Sequence, residues 1–216
     1  IFLEAKKNQL KLRATDLEQT IITNVDAEIP IEGEIAIPGN RFMEIISALP
    51  SGAIEVSLGE NKEIEINSPK GTYKITGKDA SEYPEIPALS QQQEIKLKGK
   101  DLLDIINNTL YAVSKDDLKP ALCGVYLNFE KNKIISVATD GHRLVKHIKE
   151  TDQENPEGSI IVPGKFFQIL KNSIKTTGEV LINLSENHID IKENNVIALS
   201  KKDNYLAIAM EDPEDL

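Results

Sequence analysis

The 216-residue chain has one cysteine, no tryptophan and three histidines, and aromatics make up only 5% of it. A lone Cys123 excludes an intrachain disulfide and any multi-cysteine zinc site, and it favours a reducing cytoplasm. Long apolar runs are also missing. None approaches the ~18 residues that a membrane-spanning helix needs, and Ile1-Phe2-Leu3-Glu4-Ala5-Lys6-Lys7 lacks a signal-peptide layout. Neither a Gly-x-Ser-x-Gly elbow nor a phosphate-binding glycine loop is present. Cys123, His142, His147 and His188 do not have metal-ligand spacing, and Cys123 lies in an apolar run that predicts a core position. Asp140, His142 and Ser136 supply no nucleophile, base and orienter together, so an enzyme is the weakest class, with no cofactor expected. Positive charge is the scarcer sign, with 25 Lys plus Arg against 35 acids and a net charge of −10. That balance argues against gripping nucleic acid over the whole surface but leaves room for a local basic face. The acidic pairs Asp116-Asp117 and Glu211-Asp212 read as solvated loops.

What the chain does have is an internal repeat. The run from Gly33 to Ile46 aligns with Gly158 to Lys171 at an offset of 125. Leu10-Lys11-Leu12-Arg13-Ala14-Thr15-Asp16 matches Ile134-Ile135-Ser136-Val137-Ala138-Thr139-Asp140 at 124, and Gly52 to Leu58 matches Gly178 to Leu184 at 126. Two domains follow, 1–92 and 93–216. At this offset Ile1 falls opposite Val125, so the first unit is expected to be cut at its N-terminus and the second to be whole. Glu82-Tyr83-Pro84 closes the first, and Glu211-Asp212-Pro213 is a weak counterpart.

Within each unit, period-two runs predict half-buried strands: Ile54 to Leu58, Glu63 to Ile66, Val180 to Leu184 and Ile189 to Ile191. Hairpin turns are expected at Gly59 to Asn61 and at Ser185 to Asn187. Each Pro-Gly pair ends a strand and opens a short helix, with Phe42, Ile45 and Ile46, or Phe166, Phe167, Leu170 and Ile174, turned inward. A longer helix is predicted from Asp101, as its cap, to about Val113. The class is α+β, with helices gathered on one face of antiparallel sheet.

One turn breaks the symmetry. After Ala14-Thr15-Asp16 the first unit continues Leu17-Glu18-Gln19, whereas after Ala138-Thr139-Asp140 the second continues Gly141-His142-Arg143-Leu144. Asp-Gly is a turn signal, because glycine accepts the positive φ of a twisted hairpin. A plain turn is one reading. Since the first unit turns without Gly, His or Arg, a surface role for His142 and Arg143 is the other.

Ala138-Thr139-Asp140-Gly141-His142-Arg143-Leu144 is similar to the signature loop of bacterial sliding clamps, the β subunits of the replicative DNA polymerase. The similarity extends to Ile161-Val162-Pro163-Gly164-Lys165, Ile37-Pro38-Gly39-Asn40-Arg41-Phe42, Ser81-Glu82-Tyr83-Pro84 and Leu122-Cys123-Gly124-Val125-Tyr126. The resemblance implies three repeated domains per protomer and a head-to-tail homodimer ring around duplex DNA, with antiparallel sheets outside and helices on the concave inner face. This chain would hold most of domain one, all of domain two and none of domain three. The cleft that takes linear peptides from polymerases, the clamp loader and repair proteins lies between domains two and three. Thr139, Gly141, His142, Arg143, Leu144 and Leu122 match its domain-two side, with Lys119 where the family often has arginine. Leu122 and Leu144 would offer an apolar floor, and Thr139 and Arg143 would fix peptide backbone or a carboxylate at the rim. For His142, a hydrogen-bonded structural imidazole and direct peptide contact stand equal.

The helix after Pro163 contains no acid, and its pattern places Lys165, Gln168, Lys171 and Lys175 on the outer side. Taken alone this is a solvated lysine face. In a clamp it would meet DNA phosphates without reading sequence. Arg41 is the counterpart in the first unit, diluted by Glu44, and Lys115 and Lys119 are further candidates. A sequence-independent processivity factor, non-catalytic, is the reading. A non-catalytic interaction module with the same fold that does not encircle DNA is the alternative.

Overall fold

The alternating runs fold as antiparallel strands in both halves of the chain. The computed structural model describes residues 1–85, 93–152, 154–185 and 188–201, and contacts divide the chain into Ile1–Pro87 and Ala88–Leu216. In the first unit β1 (Phe2–Lys6), β2 (Gln9–Thr15), β3 (Gln19–Asp26) and β4 (Gly33–Ala36) pair in the order β4-β1-β2-β3. The helix α1 (Gly39–Ala48) follows, and β5 (Glu55–Leu58), β6 (Glu63–Ser68) and β7 (Gly71–Thr76) form a second sheet. Leu3, Ile35, Ile37, Phe42, Ile64, Ile66 and Ile75 make the core. Phe2 stacks on Tyr83 at 5.2 Å, and the Arg13 guanidinium lies 4.8 Å from the Phe2 ring while pairing with Glu4 at 2.6 Å.

The second unit repeats this plan with two additions. It comprises β8 (Gln93–Lys98), α2 (Gly99–Thr109), β9 (Gly124–Glu130), β10 (Lys133–Thr139), β11 (Leu144–Glu150), β12 (Gly158–Pro163), α3 (Gly164–Ser173), β13 (Glu179–Leu184), β14 (His188–Glu193) and β15 (Val196–Lys201). One sheet runs β11-β10-β9-β12, the counterpart of β3-β2-β1-β4, and the other runs β15-β14-β13-β8. Both helices pack on the sheets around one core that includes Leu102, Ile105, Ile106, Phe166, Phe167 and Leu170. Among the described residues, the strand β8 and the helix α2 have no counterpart in the first unit. Their effect shows on β5. The alternation from Ile54 to Leu58 predicts a half-buried strand, yet all four residues of β5 are exposed, Leu58 at 50%. In the second unit β8 pairs with β13 and α2 packs on it, and Ile182 and Leu184 fall to 1% and 8% exposure.

Several predicted boundaries move for local reasons. α2 begins at Gly99 with Lys98 at the cap, so Asp101 is not the cap. Its carboxylate instead meets Lys149 of β11 at 2.6 Å, where it helps to hold Lys149 protonated above the ordinary lysine range. The helix stops at Thr109 and continues to Ala112 as a 3-10 turn. α3 stops at Ser173, so Ile174, although buried, and Lys175 lie past its end rather than on its faces. The turn expected at Gly59–Asn61 is a 3-10 turn over Glu60–Lys62 with Asn61 at φ 61°. Cys123 is half-buried at the end of the 3-10 turn Pro120–Leu122, its Sγ 3.2 Å from the Asp116 carbonyl, and so it is not a core residue. Residues 186–187 of the second predicted turn, and the closure at 211–216, lie outside the described residues.

A buried acid sits across one rung of the second sheet. Asp190 faces Asn183 in register, both are buried, and Asn183 Nδ2 donates to Asp190 Oδ2 at 2.8 Å. Burial pushes the Asp190 carboxyl above the ordinary carboxylate range, with the Asn183 hydrogen bond partly offsetting it, while Asn183 Oδ1 has no hydrogen-bond partner among the described residues. An acid with a raised folded-state pKa binds its proton more tightly in the folded than in the unfolded chain. Its contribution to stability is therefore lost as pH rises through that range. An amide at this position accepts the same hydrogen bond and donates to Asn183 Oδ1. Asp190→Asn is expected to melt higher than wild type at pH 8, with the gap closing toward pH 4. Thermal unfolding at both pH values checks it, and a wild-type advantage at pH 8 would count against it.

Candidate functional site

Four residues join β10 to β11, and their hydrogen bonds explain why the chain reverses there. Thr139 Oγ1 donates to the Arg143 carbonyl at 2.7 Å and accepts from Gly141 N at 3.1 Å. Asp140 Oδ1 accepts from the backbone N–H groups of His142 (3.0 Å) and Arg143 (3.1 Å), which hold its carboxyl below the usual carboxylate range. Gly141 takes φ +89° with no atom within 4 Å of where a Cβ would stand, so glycine serves here for conformation rather than space.

The first unit builds the same turn from different residues. Thr15 Oγ1 donates to the Gln19 carbonyl at 2.8 Å and accepts from Leu17 N at 3.0 Å, and Asp16 Oδ1 accepts from Glu18 N and Gln19 N at 3.0 and 2.7 Å. Leu17 occupies the position of Gly141 with φ 78°. Thr and Asp are thus the turn builders in both units, and the second unit adds Gly, His and Arg to a scaffold that closes without them. This also redefines Thr139: its hydroxyl proton is spent inside the turn, as that of Thr15 is, and is not free to fix a peptide. The His142 ring is exposed and makes no hydrogen bond among the described residues, so the supporting-imidazole reading has no partner here.

Arg143 is the most constrained exposed side chain of the turn. Its Nε donates to Asp140 Oδ2 at 2.9 Å, and its guanidinium carbon lies 5.7 Å from the centre of the Tyr111 ring. Leu144 follows at 49% exposure. Sequence reasoning missed Tyr111. The available signal was an aromatic off the apolar stripe of the preceding helix. Lys119 and Leu122 reach the same region by another route: the 114–123 segment folds on itself through Ser114 N to Leu122 O (2.8 Å) and Lys119 N to Asp116 O (2.9 Å), then enters β9 at Gly124. Antiparallel pairing places the start of β9, the end of β10, the start of β11 and the end of β12 at one end of the sheet. That end carries Lys119, Leu122, the 140–143 turn, Leu144 and the N-terminus of α3. Leu122 is half-buried and Lys119 exposed.

The lysines are less evenly placed. α3 buries Phe166, Phe167 and Leu170 and exposes Lys165, Gln168 and Lys171, with no acid on the helix. α2 packs beside it and exposes Lys100, Asn107 and Asn108, while Asp101 and Asp104 are drawn toward Lys149 at 2.6 and 3.6 Å. Among the described residues, no carboxylate lies within ion-pair distance of Lys115, Lys165, Lys171 or Lys175, all of them exposed. Lys175 is fixed through its backbone, its N–H donating to both carboxylate oxygens of buried Glu193 at 3.0 Å. Arg41 differs, because it pairs with Glu44 at 3.4 Å on the surface of α1. Among the described residues there is no cluster of three or more metal-ligating side chains, and no helix is long and apolar enough to cross a membrane.

Two family models divide the chain between them: the DNA polymerase III beta subunit, N-terminal domain, over residues 1–87, and the central domain of the same subunit over residues 96–202. A beta sliding clamp from Staphylococcus aureus is 31% identical over 211 residues, covering 93% of this chain and 56% of its own length. The crystal structure of the DNA polymerase sliding clamp from Bacillus subtilis superimposes with a TM-score of 0.89 at 25% identity, over 94% of this chain and 56% of that one. A sliding clamp (DNA polymerase III subunit beta) from Pseudomonas aeruginosa, bound to griselimycin, matches at TM-score 0.87 and 26% identity over 93% and 55% of the two chains. The chain therefore spans about half the length of the relatives it matches.

Proposed function

The chain belongs to the bacterial sliding-clamp family, the β subunit of DNA polymerase III, and from that membership we propose that it is part of a processivity factor. In this reading the assembled protein is a homodimeric ring that encircles duplex DNA and tethers the replicative polymerase, clamp loader and repair proteins by short peptides. It is a cytoplasmic, non-catalytic accessory subunit, with its first domain at 1–92 and its central domain at 93–216.

The observation that carries the peptide-binding part is the internal comparison of turns. Thr-Asp builds the turn in both units, but only the second adds an exposed His142, an oriented Arg143 and a half-exposed Leu144. Residues that a scaffold does not need, placed at the surface beside an apolar side chain, are the pattern of a recognition site. Gly141 lets the turn project them, and Lys119 and Leu122 extend the site along the same end of the sheet. The complex of the Pseudomonas relative with griselimycin supports a ligand site on this fold.

DNA contact is assigned to Lys165, Lys171, Lys175 and Lys115, with Arg41 a weaker member because Glu44 already neutralises it. A clamp has to stay linked and still slide. Retention by topology needs only a few unpaired lysines at hydration distance from phosphates, whereas many tight contacts would create steep salt dependence and drag. An acidic chain with one acid-free helix face meets that requirement.

The test is binding of a fluorescent peptide from the polymerase C-terminal tail to the protein carrying this chain. Arg143→Ala combined with Leu144→Ala is expected to weaken it at least tenfold, at unchanged melting temperature, since truncating a contact at the centre of such a site typically costs ~1–2 kcal/mol or more. Wild-type affinity in that variant would remove the site.

A further inference from the structure

We infer that Tyr111 is a positioning residue of this peptide site, holding the Arg143 guanidinium in place through its ring; the inference rests on the peptide-binding reading above. Tyr111 lies in the 3-10 turn Leu110–Ala112 that finishes α2. On either side of it the chain turns inward: Ala112 is fully buried and Leu110 packs on the core. Tyr111 itself is 57% exposed, in a chain with only five tyrosines. Burial therefore does not account for the ring, and its described partner is Arg143 at 5.7 Å.

A guanidinium over an aromatic face is attracted by the ring quadrupole, and arginine, being planar and weakly hydrated, suits that contact better than lysine. Asp140 Oδ2 accepts a second contact, from Nε at 2.9 Å. Arg143 is thus fixed at two points, while its two terminal Nη groups have no hydrogen bond among the described residues. A long side chain ordered before encounter loses less freedom when a ligand arrives. The two free Nη groups form a fork that matches a carboxylate or paired backbone carbonyls. With Leu144 next in sequence and half-exposed, the fitting ligand is an extended peptide that presents such an oxygen beside an apolar side chain. The corresponding position of the first unit is Gln19, which is buried and carries no such charge.

The experiment uses the same fluorescent polymerase-tail peptide and two readouts: its affinity, and the 15N-correlated resonance of the Arg143 Nε–H group. Tyr111→Leu and Tyr111→Met, which keep bulk but remove the ring, are expected to weaken binding about threefold and to shift that resonance, in line with an exposed cation–π contact. Tyr111→Phe, which keeps the ring, should restore both. In an Arg143→Ala background the Tyr111→Leu change should add nothing, because its effect passes through the guanidinium. An equal loss in that background, or wild-type affinity of both ring-less variants while Arg143→Ala weakens binding, overturns the role of Tyr111 and leaves the peptide site standing. Wild-type affinity of Arg143→Ala itself removes the site and this inference with it.

Discussion

Gly99→Ala is expected to lower the melting temperature of the second unit by roughly 10 °C, equivalent to about 3 kcal/mol or more of overpacking. The reason is space, not conformation. A Cβ on Gly99 would overlap the Lys175 carbonyl oxygen and stand 3.2 Å from Ile174 Cγ2, and the first of these is backbone that cannot rotate away. The closeness has a purpose. The first N–H groups of α2 have no partner within their helix, and the turn after α3 supplies one to each of the first two: Gly99 N donates to Gly178 O at 2.7 Å and Lys100 N to Thr176 O at 3.2 Å. The same turn is anchored below by Glu193, whose carboxylate accepts the Lys175 N–H and lies where a Cβ on Gly178 would go. A methyl group at 99 therefore pushes apart the start of α2, the end of α3 and the β14–β15 hairpin together, and it displaces Lys175. Unfolding followed by near-ultraviolet circular dichroism checks this, and a melt within 2 °C of wild type would show that the junction yields easily.

Phe167→Ala should cost about 3–5 kcal/mol, the range for emptying a fully packed aromatic site. Phe167 is 0% exposed and is one of 23 buried apolar residues of the second core among those described. Phe42, its counterpart in the repeat, is 7% exposed in a core of 7 such residues among those described. The same truncation there is expected to cost visibly less, since a looser and smaller core relaxes into the space left behind. Paired urea titrations of the two variants test the contrast. Equal losses would mean that the repeat equivalence, and not the degree of enclosure, sets the energy.

Much of this was legible because it depends on neighbours along the chain. Period-two alternation placed Glu63 to Ile66 and Ile189 to Ile191 in strands, which run as Glu63–Ser68 and His188–Glu193, and the two Pro-Gly pairs gave the starts of α1 and α3 within a residue. The acid-free face of α3 followed from helical spacing alone. What could not be read depended on residues far away in sequence. The Ile54 to Leu58 run alternates as a half-buried strand should, but whether β5 is covered depends on a strand and helix beside it. Asp101 has the chemistry of a helix cap, yet Lys149, 48 positions later, takes its carboxylate at 2.6 Å. Tyr111 shows locally only as an aromatic off the apolar stripe of α2, and its partner Arg143 is brought to it by the sheet. Thr139 looked like a ligand contact because nothing in a one-dimensional reading shows that its hydroxyl is already engaged.

By itself, then, the order of residues decided the repeat, the α+β class and the family, because offsets, periodicity and a seven-residue loop survive without any knowledge of contacts. Folding in three dimensions decided which polar groups remain available. Thr139 and Asp140 are consumed in closing the turn, Glu44 lies beside Arg41, and Arg143 keeps both Nη groups without a hydrogen bond among the described residues. The physical reason is that each hydrogen-bonding group has few partners it can satisfy at once, and only proximity across the fold determines which partner it meets.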